Sequence, residues 1–473
     1  MIALTLAEIA DAVSGRFLPS GSDATTETIV DGPVDTDSRE MVPGGIFVAK
    51  PGEVTDGHLF ADAAVSNGAA LLIVERELDL PVPQIVVPDA VAALGALATF
   101  VVARVRALGR LKVVAVTGSN GKTTTKNLLK TILERRGETV SARESFNNEV
   151  GAPLTMLKVT EQTDFLAAEM GASGIGEISR LIRMVRPDVG IVLTVGLAHA
   201  GEFGGIESTL RAKTEMVQDL LPEDVAVINL DDSRVAGMAA ATSARVLTFG
   251  RSAAAQVRAD DVESDATGTS FTLLLPDDEP RPVRFGVLGE HHVTNALAAA
   301  AATWALGVPG DDIVAGLESV TRAERWRMEV LQGLDVTVIN DAYNASPDSM
   351  AAALKTLAQI TRGQGRAVAV LGEMSELGEL SGEEHDRIGL LAVRLNIDQL
   401  VVVGTGAKRL QLAAEAQGSW DGESVWVETP DEAYELLEQT LRSGDTVLVK
   451  SSNSARLRFL GDRLGELASC RRF

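Results

Sequence analysis

The sequence predicts an α/β protein built from three domains. Its 473 residues exceed what one ordinary hydrophobic core holds. Short apolar runs bounded by turns alternate with helical segments, which is typical of mostly parallel sheets flanked by helices. This alternation is interrupted once and then restarts. We therefore expect a mixed α/β domain over 1–108, a central domain with a parallel sheet over 109–322, and a C-terminal Rossmann-like domain over 323–473.

Composition and charge exclude several classes of protein. The formal net charge of −23 argues against a nucleic-acid-binding protein, although a local basic pocket for an anionic small molecule remains compatible with it. Cys470 is the single cysteine, which excludes an intramolecular disulfide and favours a reducing compartment. The N-terminus carries Glu8 and Asp11 instead of a basic start, and the apolar run at 91–105 is too short to cross a bilayer. We expect a cytoplasmic monomer without a membrane span.

The first unit combines short strands with helices. The strands are predicted in GIFVA, ALLIVE and PQIVVP. Residues 35–58, which include the first of these strands, are rich in turn formers, and such loop-rich surfaces often bind ligands. The segment 106–112 is a plausible linker into the next unit.

The central and C-terminal units each alternate strands with helices. Residues 255–288 differ, because their strands alternate polar and apolar residues between Asp/Gly turns and therefore predict an antiparallel appendage. The helix that follows begins at His291. The predicted strands of the two units are KVVAVT, DFLAAEM, DVGIVLTV and DVAVINL, then DVTVIND, RAVAVLGEM, DQLVVVG, SVWVE and DTVLVK.

A glycine loop follows the first central strand, in AVTGSNGKTTTKN at 115–127. Gly121, Lys122 and Thr123 match the end of the G-x-x-x-x-G-K-[ST] phosphate loop. However, Val116 occupies the position where that motif has its first glycine. A strand-to-helix loop directs backbone N–H groups and the helix dipole at an anion. The lysine reaches the outer phosphates and the threonine can bind Mg²⁺. The alternative, a plain glycine turn at a helix start, is disfavoured by the strand KVVAVT directly before it.

Further candidate residues follow later central strands. Glu169 ends DFLAAEM, and an acidic residue at the carboxyl end of a parallel strand points into the ligand crevice. The alternative is a solvated strand-end charge. His199 lies just past DVGIVLTV, either beside the same crevice or as a structural histidine. Lys213 lies on a predicted helix, where its pattern alone favours a surface lysine.

Polar residues also cluster where the third unit begins. Arg327 lies in RAERWRME, and Asp341, Tyr343 and Asn344 lie in INDAYNASP directly after a strand. They are candidates for a binding loop. The alternative is a loop and helix cap, because Asp, Asn and Ser favour both.

Taken together, these motifs resemble the Mur ligase superfamily along essentially the whole chain. The order TGSNGKT, Glu169, His199, Lys213, the G-x-H-x-x-x-N segment at 289–295 and the R-x-E at 327–329 is similar to that of the family. Four further stretches resemble the branch that joins D-alanyl-D-alanine to a UDP-N-acetylmuramoyl-tripeptide. They are FNNEVGAPLTML, AHAGEFGG, DAYNASPDSM and LGEMSELG.

The resemblance implies an ATP-dependent carboxylate–amine ligase of peptidoglycan synthesis, with an acyl-phosphate intermediate and two Mg²⁺ ions. It implies small-molecule and peptide substrates, with the UDP-sugar bound by the first domain, ATP by the central domain and the dipeptide by the third. The residues that it implies for ATP are Gly118, Ser119, Asn120, Gly121, Lys122, Thr123, Thr124, Asn295, Arg327, Asp341 and Tyr343. Those for the metals are Thr123, Glu169, His199 and a carbamylated Lys213. Those for catalysis are Lys122, Glu169, His199 and Lys213. Those for the substrates are Asp37, Ser38 and Arg39 at the uridine nucleotide, Asn147 and Asn148 at the muramoyl-peptide, and Asn344.

The sequence departs from the family pattern at five places, none of which removes a group from the phosphate or metal set. The stretch 450–457, KSSNSARL, stands where K-G-S-R is usual, in the domain expected to meet the dipeptide. The single-residue departures are Thr194, His292, Ser346 and Glu373.

Two alternative functions remain open from the residues. Another ligase of the superfamily would share the active-centre motifs, so the first domain and the branch-specific stretches must discriminate. They favour D-alanyl-D-alanine, and the D-N-P-R segment usual in the ligase that adds the third residue does not occur. A nucleotide-switched NTPase would instead hydrolyse ATP without an acceptor.

Overall fold

In the described part of the chain, three sheets of five or more strands, each with its own helices, form the α/β architecture that the sequence predicts. Their strands come from residues 16–86, 112–285 and 329–450. The domain boundaries themselves stay predictions. The computed structural model describes residues 1–52, 55–142, 145–198, 201, 204–265, 267–321, 324–418, 420 and 422–473.

The first unit contains a five-stranded sheet in the order β2-β7-β6-β5-β4 and a separate antiparallel pair of β1 with β3. The pairing is parallel except between β2 and β7. The bounds are β1 (Leu4–Thr5), α1 (Leu6–Ala12), β2 (Arg16–Leu18), β3 (Ile29–Val30), β4 (Val34–Asp35), β5 (Ile46–Val48), α2 (Ala61–Ser66), β6 (Leu71–Val74), β7 (Gln84–Val86) and α3 (Ala90–Arg106), with 3₁₀ turns at Ser38–Glu40 and Gly57–Phe60.

Helix α3 is the longest helix of this unit, and Asp89 caps its start. The Asp89 carboxylate accepts hydrogen bonds from the N–H groups of Val91 and Ala92, so a side chain satisfies donors that the first turn leaves unpaired. Its apolar residues are buried against the first and central units, as expected for a core helix. In the described part of the chain, no helix combines the length and apolarity needed to cross a membrane.

The central unit contains a nine-stranded sheet in the order β16-β15-β14-β13-β12-β11-β8-β10-β9. Its strands are parallel from β9 to β14, and β15 and β16 are antiparallel. The bounds are β8 (Lys112–Thr117), α4 (Lys122–Leu133), β9 (Thr139–Ser141), α5 (Gly151–Met156), β10 (Phe165–Glu169), α6 (Glu177–Val185), β11 (Val189–Val192), α7 (Ile206–Gln218), β12 (Val225–Asn229), α8 (Ser233–Gly237), β13 (Arg245–Gly250), β14 (Val257–Asp265), β15 (Gly268–Leu274), β16 (Arg281–Phe285), α9 (His291–Ala305) and α10 (Gly310–Glu318), with a 3₁₀ segment at Met238–Ala241.

The predicted antiparallel appendage exists, but it is not a separate sheet. Strand β14 pairs in parallel with β13 through Phe249 and Gly250, so the antiparallel strands extend the central sheet at one edge. Sequence reasoning missed this connection because β13 was not predicted. Without its partner strand, the alternating pattern shows the hairpins but not where they attach.

The third unit contains a six-stranded sheet in the order β17-β18-β22-β19-β20-β21, parallel except for the edge strand β17. The bounds are β17 (Glu329–Gln332), β18 (Thr337–Asn340), α11 (Pro347–Thr361), β19 (Ala367–Leu371), α12 (Ser381–Arg394), β20 (Gln399–Val403), α13 (Lys408–Glu415), β21 (Glu423–Val427), α14 (Pro430–Thr440), β22 (Thr446–Lys450) and α15 (Leu457–Cys470), with 3₁₀ turns at Gly378–Leu380, Thr405–Ala407 and Asn453–Ala455.

The central and third units meet at the carboxyl ends of the central strands. Strand β8 lies between β10 and β11, so three parallel strands end side by side there. Ser346 of the third unit donates to the Asn120 side-chain oxygen at 3.0 Å across this meeting point. The ends of parallel strands are where open α/β sheets bind ligands.

Leu448 tests the packing of the third sheet. It is fully buried in β22, between β18 and β19, so Leu448→Ala should lower the free energy of unfolding of this domain by about 2–5 kcal/mol. Leu412→Ala is the matched control, because that side chain is 53% exposed and its loss should have a small effect. Urea unfolding of both variants measures the difference, and equal stabilities would contradict the assigned core.

Candidate functional site

A cavity of about 900 Å³ lies at the carboxyl edge of the central sheet, between that sheet and the third unit. It is lined by side chains that come from segments more than 200 residues apart in the chain. The sequence-predicted residues that line it are Ser119, Asn120, Gly121, Lys122, Thr123, Thr124, Asn147, Asn148, Glu169, Lys213, Asn295, Arg327, Asp341, Tyr343 and Asn344.

The glycine loop connects β8 to α4 in a compact form. Val116, where the usual motif has its first glycine, is a fully buried strand residue that pairs with Ile191, so the loop starts only at Gly118. Gly121 has a φ of 83°, a left-handed conformation that favours glycine. A Cβ at this position would lie 2.2 Å from the Asn295 side-chain oxygen. The loop is therefore packed tightly against the start of helix α9.

Lys122 opens helix α4 and folds back over the loop. Its Nζ donates to the Gly118 carbonyl at 2.9 Å. Burial lowers the pKa of Lys122 below its usual range, and the Glu169 carboxylate acts in the opposite direction. The ammonium is thus held at the mouth of the loop, where it could contact a bound phosphate. Gly118 is not among the residues that line the cavity, and its carbonyl is the group that accepts from Lys122.

Glu169 ends strand β10 beside Val116 and is only 1% exposed, so the alternative of a solvated strand-end charge is wrong. Its Oε1 accepts from the Asn147 amide at 2.7 Å. Its Oε2 is buried and has no hydrogen-bond partner among the described residues. A buried carboxylate oxygen without a partner is unfavourable, and carboxylate oxygens are preferred Mg²⁺ ligands. The carboxylate oxygen at this position is therefore a suitable ligand for a magnesium ion.

The metal set is otherwise only partly visible. His199 lies outside the described residues. Within the described chain, no group of three or more His, Cys, Asp or Glu side chains is arranged to hold a metal ion. The set that the family resemblance implies would add the Thr123 hydroxyl, His199 and a modified Lys213 to Glu169.

Lys213 lies on helix α7 and is 3% exposed, so the surface-lysine interpretation that its pattern alone favoured is wrong. Burial lowers its pKa to about 7, helped by the positive charge of Lys122 and opposed by Glu177 and Glu215. At neutral pH a substantial fraction of this amine is therefore uncharged. Glu215 fixes the helix by accepting hydrogen bonds from the N–H groups of Gly176 and Ser179 at the start of α6.

Arg327 reaches from the third unit to the glycine-loop helix. Its Nη2 donates to Thr123 Oγ1 at 3.2 Å and to Ser145 Oγ at 3.1 Å. Its guanidinium carbon lies 4.1 Å from the centre of the Tyr343 ring, a cation–π contact that orients the side chain. An arginine on one domain thus touches the residue of the other domain that is the candidate Mg²⁺ ligand.

The loop after β18 both caps a helix and lines the cavity. Ser346 and Ser349 form a capping box at the start of α11, so the helix-cap alternative describes part of its role. Asp341 Oδ2 lies 2.7 Å from Lys450 Nζ, and this lysine also donates to the Asn344 carbonyl at 3.1 Å. The loop is therefore held rigidly at the cavity wall.

Ser145 and Lys450 are among the lining residues that sequence reasoning missed. Ser145 hydroxyl contacts Thr123 Oγ1 at 3.0 Å and Tyr343 OH at 3.3 Å, but a lone serine carries no sequence signal. Lys450 ends strand β22, and the strand-end argument that found Glu169 could have found it.

The predicted uridine residues lie elsewhere. Ser38 and Arg39 lie in the 3₁₀ turn Ser38–Glu40 of the first unit, Asp37 caps that turn, and none of the three lines the cavity. Arg39 hydrogen bonds to Asp37 lower the pKa of that carboxyl to about 2. The Arg39 side chain is 86% exposed, so it is accessible to a ligand. Their role at a uridine nucleotide stays a prediction.

Comparisons with known proteins cover nearly the whole chain. Family models match three segments: "Mur ligase family, catalytic domain" over 33–112, "Mur ligase middle domain" over 116–303, and "Mur ligase, glutamate ligase domain" over 326–453. A UDP-N-acetylmuramoyl-tripeptide–D-alanyl-D-alanine ligase of Mycobacterium tuberculosis is 41% identical and covers 98% of each chain.

Solved structures agree in fold. A crystal structure of MurF from Acinetobacter baumannii superimposes with a TM-score of 0.88 at 34% identity and covers 98% of this chain and 99% of that one. A MurF ligase of Thermotoga maritima, in complex with ADP, has a TM-score of 0.80 at 27% identity over 92% and 97% of the two chains. The chain therefore belongs to the Mur ligase family and is an ATP-dependent ligase that forms amide bonds.

Proposed function

We propose that this cavity joins D-alanyl-D-alanine to UDP-N-acetylmuramoyl-tripeptide, with release of ADP and phosphate, in peptidoglycan synthesis. The observation that carries the proposal is the meeting of the glycine loop, Glu169 and Arg327 in one cavity between two domains. The relatives named for this reaction match the chain from end to end, including the first domain, which supports the choice of substrates.

Amide formation from a carboxylate needs activation, because a carboxylate is a poor electrophile. A carboxylate oxygen of the peptide attacks the γ-phosphorus of ATP, the bond to the β-phosphate oxygen breaks, and ADP leaves. The dipeptide amine then attacks the acyl carbon and loses a proton, the carbon–oxygen bond breaks, and inorganic phosphate leaves. Phosphoryl transfer depends mainly on positioning and on stabilisation of the charge on the phosphate oxygens.

The residues of the cavity suit these requirements. Lys122 and the backbone N–H groups of the loop bind the phosphates, and Asn295 contacts the base. Arg327, Asp341 and Tyr343 approach the nucleotide from the third domain. Because Arg327 reaches the loop only when the two domains meet, closure completes the phosphate site and excludes water from the acyl phosphate.

Two Mg²⁺ ions would be held by Thr123, Glu169, His199 and a carbamylated Lys213. When bound, they neutralise the charge of the phosphate oxygens. Glu169 Oε2 supports this assignment, because it is buried without a hydrogen-bond partner among the described residues. The lowered pKa of Lys213 supports the modification, since only a neutral amine attacks the carbon of CO₂, forming an N–C bond and releasing one proton.

The domains are assigned separate substrates. Residues 1–108 bind the UDP-sugar through Asp37, Ser38 and Arg39, and 323–473 bind the dipeptide. Asn147 and Asn148 lie at the muramoyl-peptide, and Asn344 completes the substrate set. We place the reaction in the cytoplasm, where ATP is supplied, and expect the protein to act as a monomer.

The alternative of a nucleotide switch is less well supported. The relatives that match the chain from end to end are named as ligases, which need an acceptor that a switch does not. A different ligase of the superfamily would use the same cavity. The choice among ligases therefore rests on the first domain and on the relatives.

An acceptor-dependence assay tests the function. Phosphate release from ATP should require both UDP-N-acetylmuramoyl-tripeptide and D-alanyl-D-alanine, because the acyl phosphate is protected until the amine arrives. Either substrate alone, or folate with glutamate, should give background release. Sustained ATP hydrolysis without an acceptor would instead favour the nucleotide switch.

Lys122→Ala tests the phosphate loop. Loss of its ammonium should lower the rate of ligation by on the order of 100- to 1,000-fold, since a cation directed at the transferring phosphate is removed. Lys130→Ala is the matched control, because Lys130 lies on the same helix and pairs with Glu134 at the surface. Circular dichroism checks that both variants are folded, and near-normal turnover of Lys122→Ala would remove the loop from the mechanism.

Lys213→Ala tests the carbamate. The variant should be inactive, and short carboxylates such as formate or acetate should restore part of the ligation by replacing the missing anion. The same carboxylates should not restore Lys122→Ala, which serves as the control for unspecific activation. A Lys213→Ala variant with full activity would exclude this lysine from the metal site.

A further inference from the structure

The turn that presents Arg327 has an unusual backbone. Trp326 and Met328, the two neighbours of Arg327, have φ values of 61° and 53°. Left-handed conformations are unfavourable for a non-glycine residue, and they persist where surrounding contacts hold them. The Arg327 N–H closes the turn by donating to the Glu324 carbonyl at 3.0 Å. The geometry of this turn therefore depends on its anchors.

Trp326 is anchored to the last helix of the protein. Its indole Nε1 donates to both carboxylate oxygens of Asp462 on α15, at 3.0 and 3.1 Å. Asp462 also accepts from Arg325 Nη2 at 3.0 Å and from Asn340 Nδ2 at 3.0 Å. The indole ring packs edge-to-face on Phe459, with ring centres 6.1 Å apart. One carboxylate thus ties the turn, strand β18 and helix α15 together.

The backbone on either side of Arg327 is held by the same domain. The Trp326 carbonyl accepts from the Tyr343 N–H at 3.1 Å. The Met328 N–H donates to Asp341 Oδ1 at 3.0 Å. Arg327 consequently projects from a segment that is fastened to the third unit both before and after it.

Glu324, only three residues earlier, is bound to the other domain. Its carboxylate accepts a hydrogen bond from Asn127 on helix α4. The chain therefore changes from central-domain contacts to third-domain contacts between Glu324 and Trp326. Arg327 Nε also lies 3.4 Å from Glu324 Oε2, so the guanidinium has a partner on the central-domain side while its backbone is fastened to the third unit.

We propose that Trp326 and Asp462 form a positioning pair that aims Arg327 at the phosphate loop. Asp462 does not line the cavity, so it acts through Trp326 and the turn. The assignment rests on the proposed function, in which Arg327 serves the ATP phosphates. It adds a distant carboxylate on the C-terminal helix to the residues on which nucleotide binding depends.

A double-mutant cycle tests the pair. Trp326→Phe keeps the ring and removes the indole N–H, and it should weaken ATP binding and lower kcat/KM for ATP by about tenfold, the loss of one charge-assisted hydrogen bond. KM for D-alanyl-D-alanine should stay unchanged. In an Arg327→Ala background the same substitution should change either quantity less than twofold, because no aimed arginine remains. Asp462→Asn, which weakens the acceptor, should behave like Trp326→Phe.

The control is Asp431→Asn on α14. It removes an exposed ion pair with Arg463, which lies next to Asp462 on α15. It should leave ATP binding unchanged in both backgrounds. An equal effect of Trp326→Phe with and without Arg327, or no effect at all, would overturn the positioning role. Equilibrium titration with ATP measures binding without ligation, so failure of the wild-type protein to ligate the two substrates would overturn the proposed function and leave this cycle decisive.

Discussion

The site depends on one physical constraint: charged side chains are removed from water at one edge of the central sheet. Glu169 and Lys213 are buried there beside the half-buried Lys122, and burying a charge is costly unless it is paired or neutralised. One oxygen of the Glu169 carboxylate has no hydrogen-bond partner among the described residues, and the pKa values of Lys122 and Lys213 are lowered. These groups are therefore arranged for ligands that bring charge of their own, as a nucleotide triphosphate with its metal does.

The division of the site between two domains follows from the same constraint. A site that must admit ATP and then exclude water cannot be permanently enclosed. Arg327 and the loop held by Lys450 belong to the third unit, and they meet Thr123, Ser145 and Asn120 through a few polar contacts. Polar contacts of this kind exchange readily with water, so they are compatible with the domain closure that the proposed function requires.

Much of the fold and part of the site were accessible from sequence. The parallel strands were visible as apolar runs, and Glu169 was found because a strand end has a known place in an open sheet. Ser145 was not found, because its importance comes from hydroxyl contacts to Thr123 and Tyr343 that no local pattern encodes. Strand β13 was missed as well, so the sequence did not show where the predicted appendage joins the central sheet.

Lys213 shows most clearly what the sequence determines and what only the tertiary structure decides. By itself the sequence determined the alternation of strands and helices and the position of the phosphate loop, because both follow from local periodicity and from glycine at a strand-to-helix turn. Only the tertiary structure decided that Lys213 is buried beside Lys122 and that Arg327 reaches Thr123. Burial and charge proximity are properties of packed neighbours, and a helical pattern does not specify which neighbours a given turn will meet.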